Sequence, residues 1–367
     1  MAIFNKHFKN KKIIITGHTG FKGSWLTLWC ILSGAKVIGI SNNLTSTPSH
    51  FQKLKLQKKM KNFKLDIKNL VKLKKVFIKN QPDYVFHLAA QSLVKKSFEK
   101  PVETFMSNTV GTMNVLESLL VVKKRCHAVI ITSDKSYKNL EIKRGYKEND
   151  LIGGDDPYSG SKGAAELIIN SYFKSIIKFK KNISITVARA GNVIGGGDWS
   201  DDRVVPDCVK SWSKNKSAKI RNPNSTRPWQ HVLEVIRGYI QCAIYGKKYK
   251  NSMNGEAFNF GPKIDQDKAV VQLVKEMKTH WKKVKWEIKR DKTKKKESKL
   301  LKLNSFKSKK ILGWEPILNF KDSVKLTTLW YKKFYSKKIN CFDLSSKQLF
   351  SYEKKLMEYL RNNKIKF

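Results

Sequence analysis

Along the first half of the chain, short β-branched or apolar runs alternate with longer stretches whose apolar positions recur at helical spacing. The first run, Ile13-Ile14-Ile15-Thr16, follows two lysines and reads as a buried strand. Gly17, Gly20 and Gly23 mark a tight turn, residues 24–33 read as a helix stopped near Gly34, and a strand resumes over 35–40. Strand, helix and strand in this order form one parallel unit with a right-handed crossover. The alternation continues with a short strand at 63–66, a helix over 69–80 closed by Pro82, and a strand over 83–90. A helix over 101–122, a strand over 128–132, a helix opened by residues 156–158 and containing 161–173, and a sixth strand over 183–189 follow. The expected fold class is α/β, a doubly wound parallel (Rossmann) sheet with helices on both faces.

Past Gly191 the texture changes. The segment GNVIGGGDWSDDRVVPD is loop-rich, and IRNPNSTRPWQHV carries two prolines with a tryptophan close behind the second. Strand and helix signals return at 258–260 and 270–281, residues 282–310 are dense in lysine, 309–316 read as a helix end with a glycine stop, and 352–363 as a closing helix. No repeat and no separate linker is visible. The expected organisation is a dinucleotide-type domain over 1–190, rejoined by about 227–262. A smaller, mostly C-terminal lobe takes 191–226 and 263–340, and a helical tail takes 341–367.

Composition alters this picture in one respect. Of 367 residues, 40% are hydrophobic, enough for a sizeable core, yet 75 Lys plus Arg against 29 Asp plus Glu give a formal charge of +46. Such charge often marks nucleic-acid or membrane binding. Here only nine of the basic residues are Arg and the lysines run along the whole chain, which fits a solvated coat better than a reading surface. No specific nucleic acid and no membrane partner are expected. Five scattered cysteines without a CxxC spacing fit buried thiols in a reducing compartment, and no metal site is expected. With no apolar leader in MAIFNKHFKNKK and no spanning run, the expected location is cytoplasmic.

Three glycines after a strand let backbone approach a pyrophosphate at a helix N-terminus. The second strand ends Gly39-Ile40-Ser41-Asn42-Asn43, without the usual ribose-binding acid, so NAD and NADP both stay open on physics, Ser41 being able to bond either ribose. Asp66 either caps an adenine amino group or is a helix N-cap before Asn69. Tyr158 and Lys162 stand four apart on one helix face. A phenol with an ordinary pKa of about 10 needs a nearby cation to become a base, and Lys162 is placed to lower it. The strand ending Ile131-Thr132-Ser133-Asp134-Lys135 adds an acid and a base that share a site only where strand gives way to loop.

The stretches TGxTGFxG (16–23), HLAAQ (87–91), SNTVGT (107–112) and YxxxK together resemble the extended short-chain dehydrogenase/reductase (NAD-dependent epimerase/dehydratase) family. GHTGFKGSWL, TSDKSY, DPYSGSK, RAGNVIGGGDW, DRVVPD and RPWQHVLE are similar, more narrowly, to its CDP-glucose dehydratase branch. The resemblance implies NAD as cofactor, with Gly17, Gly20, Phe21, Gly23, Ser41, Asp66, Ile67, Leu88, Ala89, Ala90, Tyr158 and Lys162 around it. It implies CDP-glucose as substrate in the smaller lobe, with Gln91, Asn192, Arg203 and Arg227 binding it and Arg203 and Arg227 on the diphosphate. Tyr158 is then the base at the 4-hydroxyl, Ser133 its hydrogen-bonding neighbour, Asp134 the acid for the departing 6-hydroxyl and Lys135 the C5 base. A homodimer or homotetramer is implied, formed through helices near 101–122 and 157–174, with deoxysugars for surface polysaccharide as the destination. An ordinary ion pair of Arg203 with Asp201 or Asp202 is the alternative for that residue, and His231 reads as structural. Two other functions remain open: a sugar-nucleotide epimerase or net dehydrogenase on the same fold, and a non-catalytic nucleotide or RNA binder using the lysine coat.

Overall fold

The computed structural model describes residues 3–263, 267–282, 284–288, 300–336 and 339–365. Seven strands form its central sheet: β1 (Lys12–Thr16), β2 (Lys36–Ser41), β3 (Lys61–Lys64), β4 (Tyr84–His87), β5 (Cys126–Ile131), β6 (Ile183–Ala190) and β7 (Ala257–Phe260). They lie in the order β7-β6-β5-β4-β1-β2-β3, every neighbouring pair parallel. The order reverses between β1 and β4, and in such sheets a ligand crevice opens beyond the carboxyl ends at the reversal. β4, β5 and β6 are buried at every position, as expected of strands covered on both faces. Successive residues of β1 serve opposite layers: Ile13 and Ile15 pack with Trp25 and Trp29, whereas Ile14 packs with Ile38, Val85 and Ile130.

The main helices are α1 (Phe21–Leu32), α2 (Leu70–Asn80), α3 (Gly111–Leu119), α4 (Pro157–Ser175), α5 (Val232–Lys248), α6 (Phe320–Ser336) and α7 (Cys341–Asn362). Several boundaries differ from the sequence reading for local reasons. α1 starts at Phe21 because Gly20 is extended (φ −73°, ψ 171°) and serves as its N-cap. β4 stops at His87 because Leu88 and Ala89 leave the sheet to pass against Gly17. The helix expected over 101–122 is interrupted by a π-helical turn at Met106–Val110 before α3. Within it, the buried Asn108 side chain bonds the Gln91 backbone (2.7 and 3.0 Å) and Ser161 Oγ (2.9 Å), a demand that regular helical spacing would misaim.

Three short strand pairs lie outside the central sheet: Val193–Ile194 with Gln230–His231, Thr226–Arg227 with Lys268–Ala269, and Ala218–Ile220 with Trp286–Ile288. The lysine-dense stretch expected to be exposed falls partly, at 289–299, outside the described residues. Further on, the helix Phe306–Leu312 ends on Gly313 in the left-handed region (φ 61°), the expected glycine stop. α7 starts eleven residues before the expected 352, with the Asn340 side chain capping Phe342 N. It is fastened to the main body: Glu353 accepts from Trp29 Nε1 (2.8 Å), and Tyr352 donates to Glu234 (2.8 Å) while accepting from Arg237 Nε (2.9 Å). All five cysteines are free and buried. Among the described residues no helix is long and apolar enough to cross a membrane.

Candidate active site

The glycine turn is the first part of the site. Gly17 lies in the left-handed region (φ 72°), and a Cβ there would stand 2.6 Å from Ala89 N. A Cβ on Gly23 would stand 2.1 Å from the Gly17 carbonyl oxygen. Turn, α1 and the end of β4 thus meet backbone to backbone, leaving a cradle that any side chain would fill. The first N–H groups of α1, at Phe21, Lys22 and Gly23, lie at the helix end where no intrahelical partner exists, the arrangement that accepts a phosphate. The residues present fit a dinucleotide pyrophosphate.

At the ribose end, the Ser41 and Thr19 hydroxyls are 2.7 Å apart and both approach the Asn43 carbonyl. Asp66 accepts from Lys68 N (2.9 Å) and Asn42 Nδ2 (3.2 Å). It therefore ties two strand ends together, and the N-cap of α2 is Asn69, whose side chain accepts from Lys72 N. Ile67 is buried against Gly111.

Beyond β5, Ser133 caps a single 3₁₀ turn, Asp134–Ser136. This turn meets the condition set by strand alternation, because side chains of consecutive residues no longer point oppositely. Ser133 donates to Asp134 (2.8 Å) and also bonds the Tyr158 phenol. Asp134 is buried and so close to Gly191 that a Cβ there would lie 3.0 Å from its carboxylate. Burial raises its pKa, with Lys135, Ser133 and Lys22 opposing, the direction that suits a general acid.

Tyr158 and Lys162 are both buried on α4, whose N-cap Asp156 accepts from Tyr158 N and Ser159 N. In the protein without its cofactor the phenol lies above its ordinary value. Burial, and then the Asp134 charge, push Tyr158 up to about 12, against the Ser133 bond and Arg203. Lys162 is itself pushed down to about 8 by burial, with Glu166 opposing, so its own charge is weakened in the protein alone. The reason is common to both: the pocket is dry enough that loss of water outweighs the neighbouring charge.

On the lobe side, the glycines of GGGDW are clamped among aromatic rings. Trp25 Nε1 donates to the Gly196 carbonyl (2.8 Å), a Cβ on Gly196 would lie 2.1 Å from Trp330, and Gly197 (φ 87°) lies against His50. The clamp fixes Asp198, which accepts from Ser200 N (3.0 Å) and pairs with Arg203 Nη1 (2.9 Å). Arg203 thus pairs with Asp198, not with Asp201 or Asp202, and it is electrostatically coupled to Tyr158 across the cleft. Arg227 is half-buried and donates to the Thr226 carbonyl (2.8 Å), and Asn192 is exposed just past β6. The Gln91 carboxamide bonds the Leu93 backbone and, on the helix Pro101–Phe105, the Thr104 hydroxyl. His231 is buried and caps Leu233 N, a structural place.

Two groups of the site went unnoticed in the sequence. Glu166, one turn after Lys162, forms a buried bidentate pair with Arg189 (2.8 and 2.9 Å) and accepts from Thr132 (2.5 Å). Its helical spacing from Lys162 was a visible signal. Lys22 is electrostatically coupled to Arg203, Asp134, Lys162 and Asp198. Its signal was a charge inside the glycine motif.

Cradle, crevice and the Tyr158–Lys162 pair define the class: an extended short-chain dehydrogenase/reductase. The family model described as GDP-mannose 4,6 dehydratase matches residues 14–327, and the chain belongs to that family. It is 40% identical over 338 residues to the CDP-glucose 4,6-dehydratase of Salmonella typhimurium, covering 90% of this chain and 93% of the relative. In fold it is similar to an epimerase from Methanothermobacter thermautotrophicus (TM-score 0.74, 25% identity, 90% and 95% of the two chains). A dTDP-glucose 4,6-dehydratase from Bacillus anthracis, solved with NAD, has a TM-score of 0.71 at 22% identity over 88% and 96%.

Proposed function

We propose that the chain is an NAD-dependent CDP-glucose 4,6-dehydratase, a hydro-lyase turning CDP-D-glucose into CDP-4-dehydro-6-deoxy-D-glucose and water. The observation that carries this reading is the grouping of Tyr158, Ser133 and Asp134 past the carboxyl end of β5, in a chain so close to the Salmonella enzyme. The glycine cradle at Gly17, Gly20 and Gly23 would hold NAD⁺, which would supply reversible hydride chemistry and a positive charge.

Tyr158 accepts the proton of the 4-hydroxyl, helped by the Ser133 bond and the Arg203 charge, both of which favour phenolate. A ketone at C4 acidifies the C5 hydrogen, and Lys135, half-buried at the turn, removes it. Asp134 supplies a proton to the departing 6-hydroxyl, so that water leaves. As the hydride enters C6, Lys135 returns a proton to C5, so C4 is oxidised, C6 reduced and the sum redox-neutral.

The test is incubation with CDP-, dTDP-, UDP- and GDP-glucose, reading the alkali-induced absorbance of a 4-keto sugar. The expected result is product from CDP-glucose without lasting NADH. Accumulating NADH, or a product retaining its 6-hydroxyl, would move the chain to the epimerase or net-dehydrogenase reading. The second expectation concerns Lys135→Ala. It should retain the first hydride step, seen as transient NADH, while exchange of the C5 hydrogen with deuterated water falls by about a hundredfold or more. Unchanged exchange removes Lys135 from the base role.

A further inference from the structure

At the amino ends of the strands, opposite the crevice, six separate pieces of chain form one surface. They are the segments entering β1, β2, β4, β5 and β6 and the end of α5, residues 6–12, 34–36, 81–83, 120–125, 176–182 and 246–251. Far apart in the chain, their lysines read as part of a coat without direction, and no membrane partner is expected from the sequence. The fold stitches them together. Asn182 Nδ2 donates to the Val122 and Lys123 carbonyls (2.6 and 3.2 Å), and Lys250 Nζ to the Lys180 and Lys181 carbonyls (2.6 and 2.9 Å). Arg125 donates to the Lys247 carbonyl, and Lys36 N to the Lys11 carbonyl (2.8 Å).

These segments hold thirteen lysines and one arginine against a single acid, Asp83. That acid is already taken: it accepts from Lys12 N (2.9 Å) and pairs with Lys124 (3.0 Å) and Lys247 (3.3 Å). Lys124, Lys247 and Lys250 are half-buried in these contacts, and the other eleven cations are exposed. The dipole of α5 accounts for Lys247 and Lys248 in its last turn. It does not account for Lys36, Lys123 and Lys181, which stand at a strand start or in loops.

Two uncovered rings stand in the same field. Phe179 is 69% exposed and Tyr249 46%, and the Lys250 bonds to the 180–181 backbone bring their segments together. Each ring has a lysine over it, Lys178 Nζ 5.2 Å from the Phe179 centroid and Lys248 Nζ 4.9 Å from that of Tyr249. Rings that enter the headgroup level, with ammonium groups beside them to meet lipid phosphates, are the composition of an interfacial anchor.

We propose that this face seats the protein on an anionic bilayer surface, with Phe179 and Tyr249 at the headgroups and the catalytic crevice turned away toward water. The seat involves no spanning helix and is independent of the dehydratase reading. Lipid is favoured over nucleic acid because the charge is carried by lysines, compact point charges suited to a diffuse anionic plane, and by a single arginine fork.

The experiment is co-sedimentation of the full chain with phosphatidylcholine vesicles and with vesicles in which about a quarter of the lipid is phosphatidylglycerol, at about 0.1 M salt. Two charge-matched variants separate this face from the rest of the coat. One carries Lys123→Gln, Lys180→Gln, Lys181→Gln and Lys248→Gln; the other carries Lys214→Gln, Lys216→Gln, Lys219→Gln and Lys325→Gln, all eight side chains being exposed. The wild type should bind the anionic vesicles and not the neutral ones. The first variant should bind about a hundredfold more weakly, since each lysine near an anionic surface contributes several-fold. The second should stay within about threefold, and Phe179→Ser with Tyr249→Ser should lose about tenfold. The unfolding midpoint of every variant should match the wild type. Equal losses in the two lysine variants overturn the proposal by reducing the attraction to net charge. Unchanged binding without the two rings overturns it, as does failure of the wild type to bind anionic vesicles. Preference for single-stranded RNA over the vesicles, lost in the first variant alone, overturns it by giving the face to nucleic acid.

Discussion

Replacing Tyr158 by Phe should lower kcat by about 10²- to 10⁴-fold, the usual span of a positioned general base. KM, the binding of NADH and the unfolding midpoint should stay near wild type. The phenol ring is buried, so its packing survives in Phe, and only the hydroxyl that bonds Ser133 is removed. The size of the loss follows from the pocket. In the protein alone the phenol sits near 12, so phenolate is scarce at neutral pH and the site must supply charge to form it. The first hydride step should accordingly accelerate with rising pH until Lys162 loses its charge, at about 8 in the protein alone. Retention of more than a tenth of the wild-type kcat would remove Tyr158 from the base role. A nucleotide or RNA binder relying on the lysine coat would show no effect of the change at all.

The second large effect is on stability. Glu166 and Arg189 are each about 5–6% exposed and joined by two hydrogen bonds. Arg189 goes on to donate to Tyr137 Oη (2.7 Å) and the Glu148 carbonyl (2.8 Å), and Tyr137 donates to Asn259 (2.8 Å). The pair thereby ties α4 and β6 to the Asp134 turn from beneath. Glu166→Ala should cost about 3–5 kcal/mol in denaturant unfolding, because it leaves the Arg189 charge buried without a partner and Thr132 without an acceptor. A double change, Glu166→Leu with Arg189→Met, should cost clearly less than the sum of the singles, since no uncompensated charge remains. A single-mutant cost under about 1 kcal/mol would show that water or rearrangement satisfies Arg189. The activity of Glu166→Ala carries a separate signature. Glu166 is what supports the Lys162 charge against burial, so the alkaline limb of the rate profile should move to lower pH.

Much of the molecule is legible in the chain because it depends on local rules. The run Ile13 to Ile15, the glycines at 17, 20 and 23, and the i, i+4 spacing of Tyr158 and Lys162 each state a backbone requirement within a few residues. The expected strand at 258–260 was equally plain as a run, although its partner, β6, lies some seventy residues earlier and could not be read from it. Other features hide because they answer to distant groups. The π-helical turn at 106–110 exists for the sake of Gln91 and Ser161. Gln91, which motif likeness sends toward substrate, spends its carboxamide on Leu93 and Thr104.

The amino-acid order alone thus determined the doubly wound sheet, the phosphate cradle and the tyrosine–lysine pair, all set by periodicity, turn stereochemistry and short spacings. The tertiary structure decided which charges meet: Arg203 with Asp198, and Glu166 with Arg189. It also decided how dry the phenol's pocket is, and that burial pushes the phenol up in the protein without its cofactor. The reason is physical. Periodicity is a property of neighbours in the chain, whereas the free energy of a charge depends on how much water and which opposite charges remain around it, and only packing settles both.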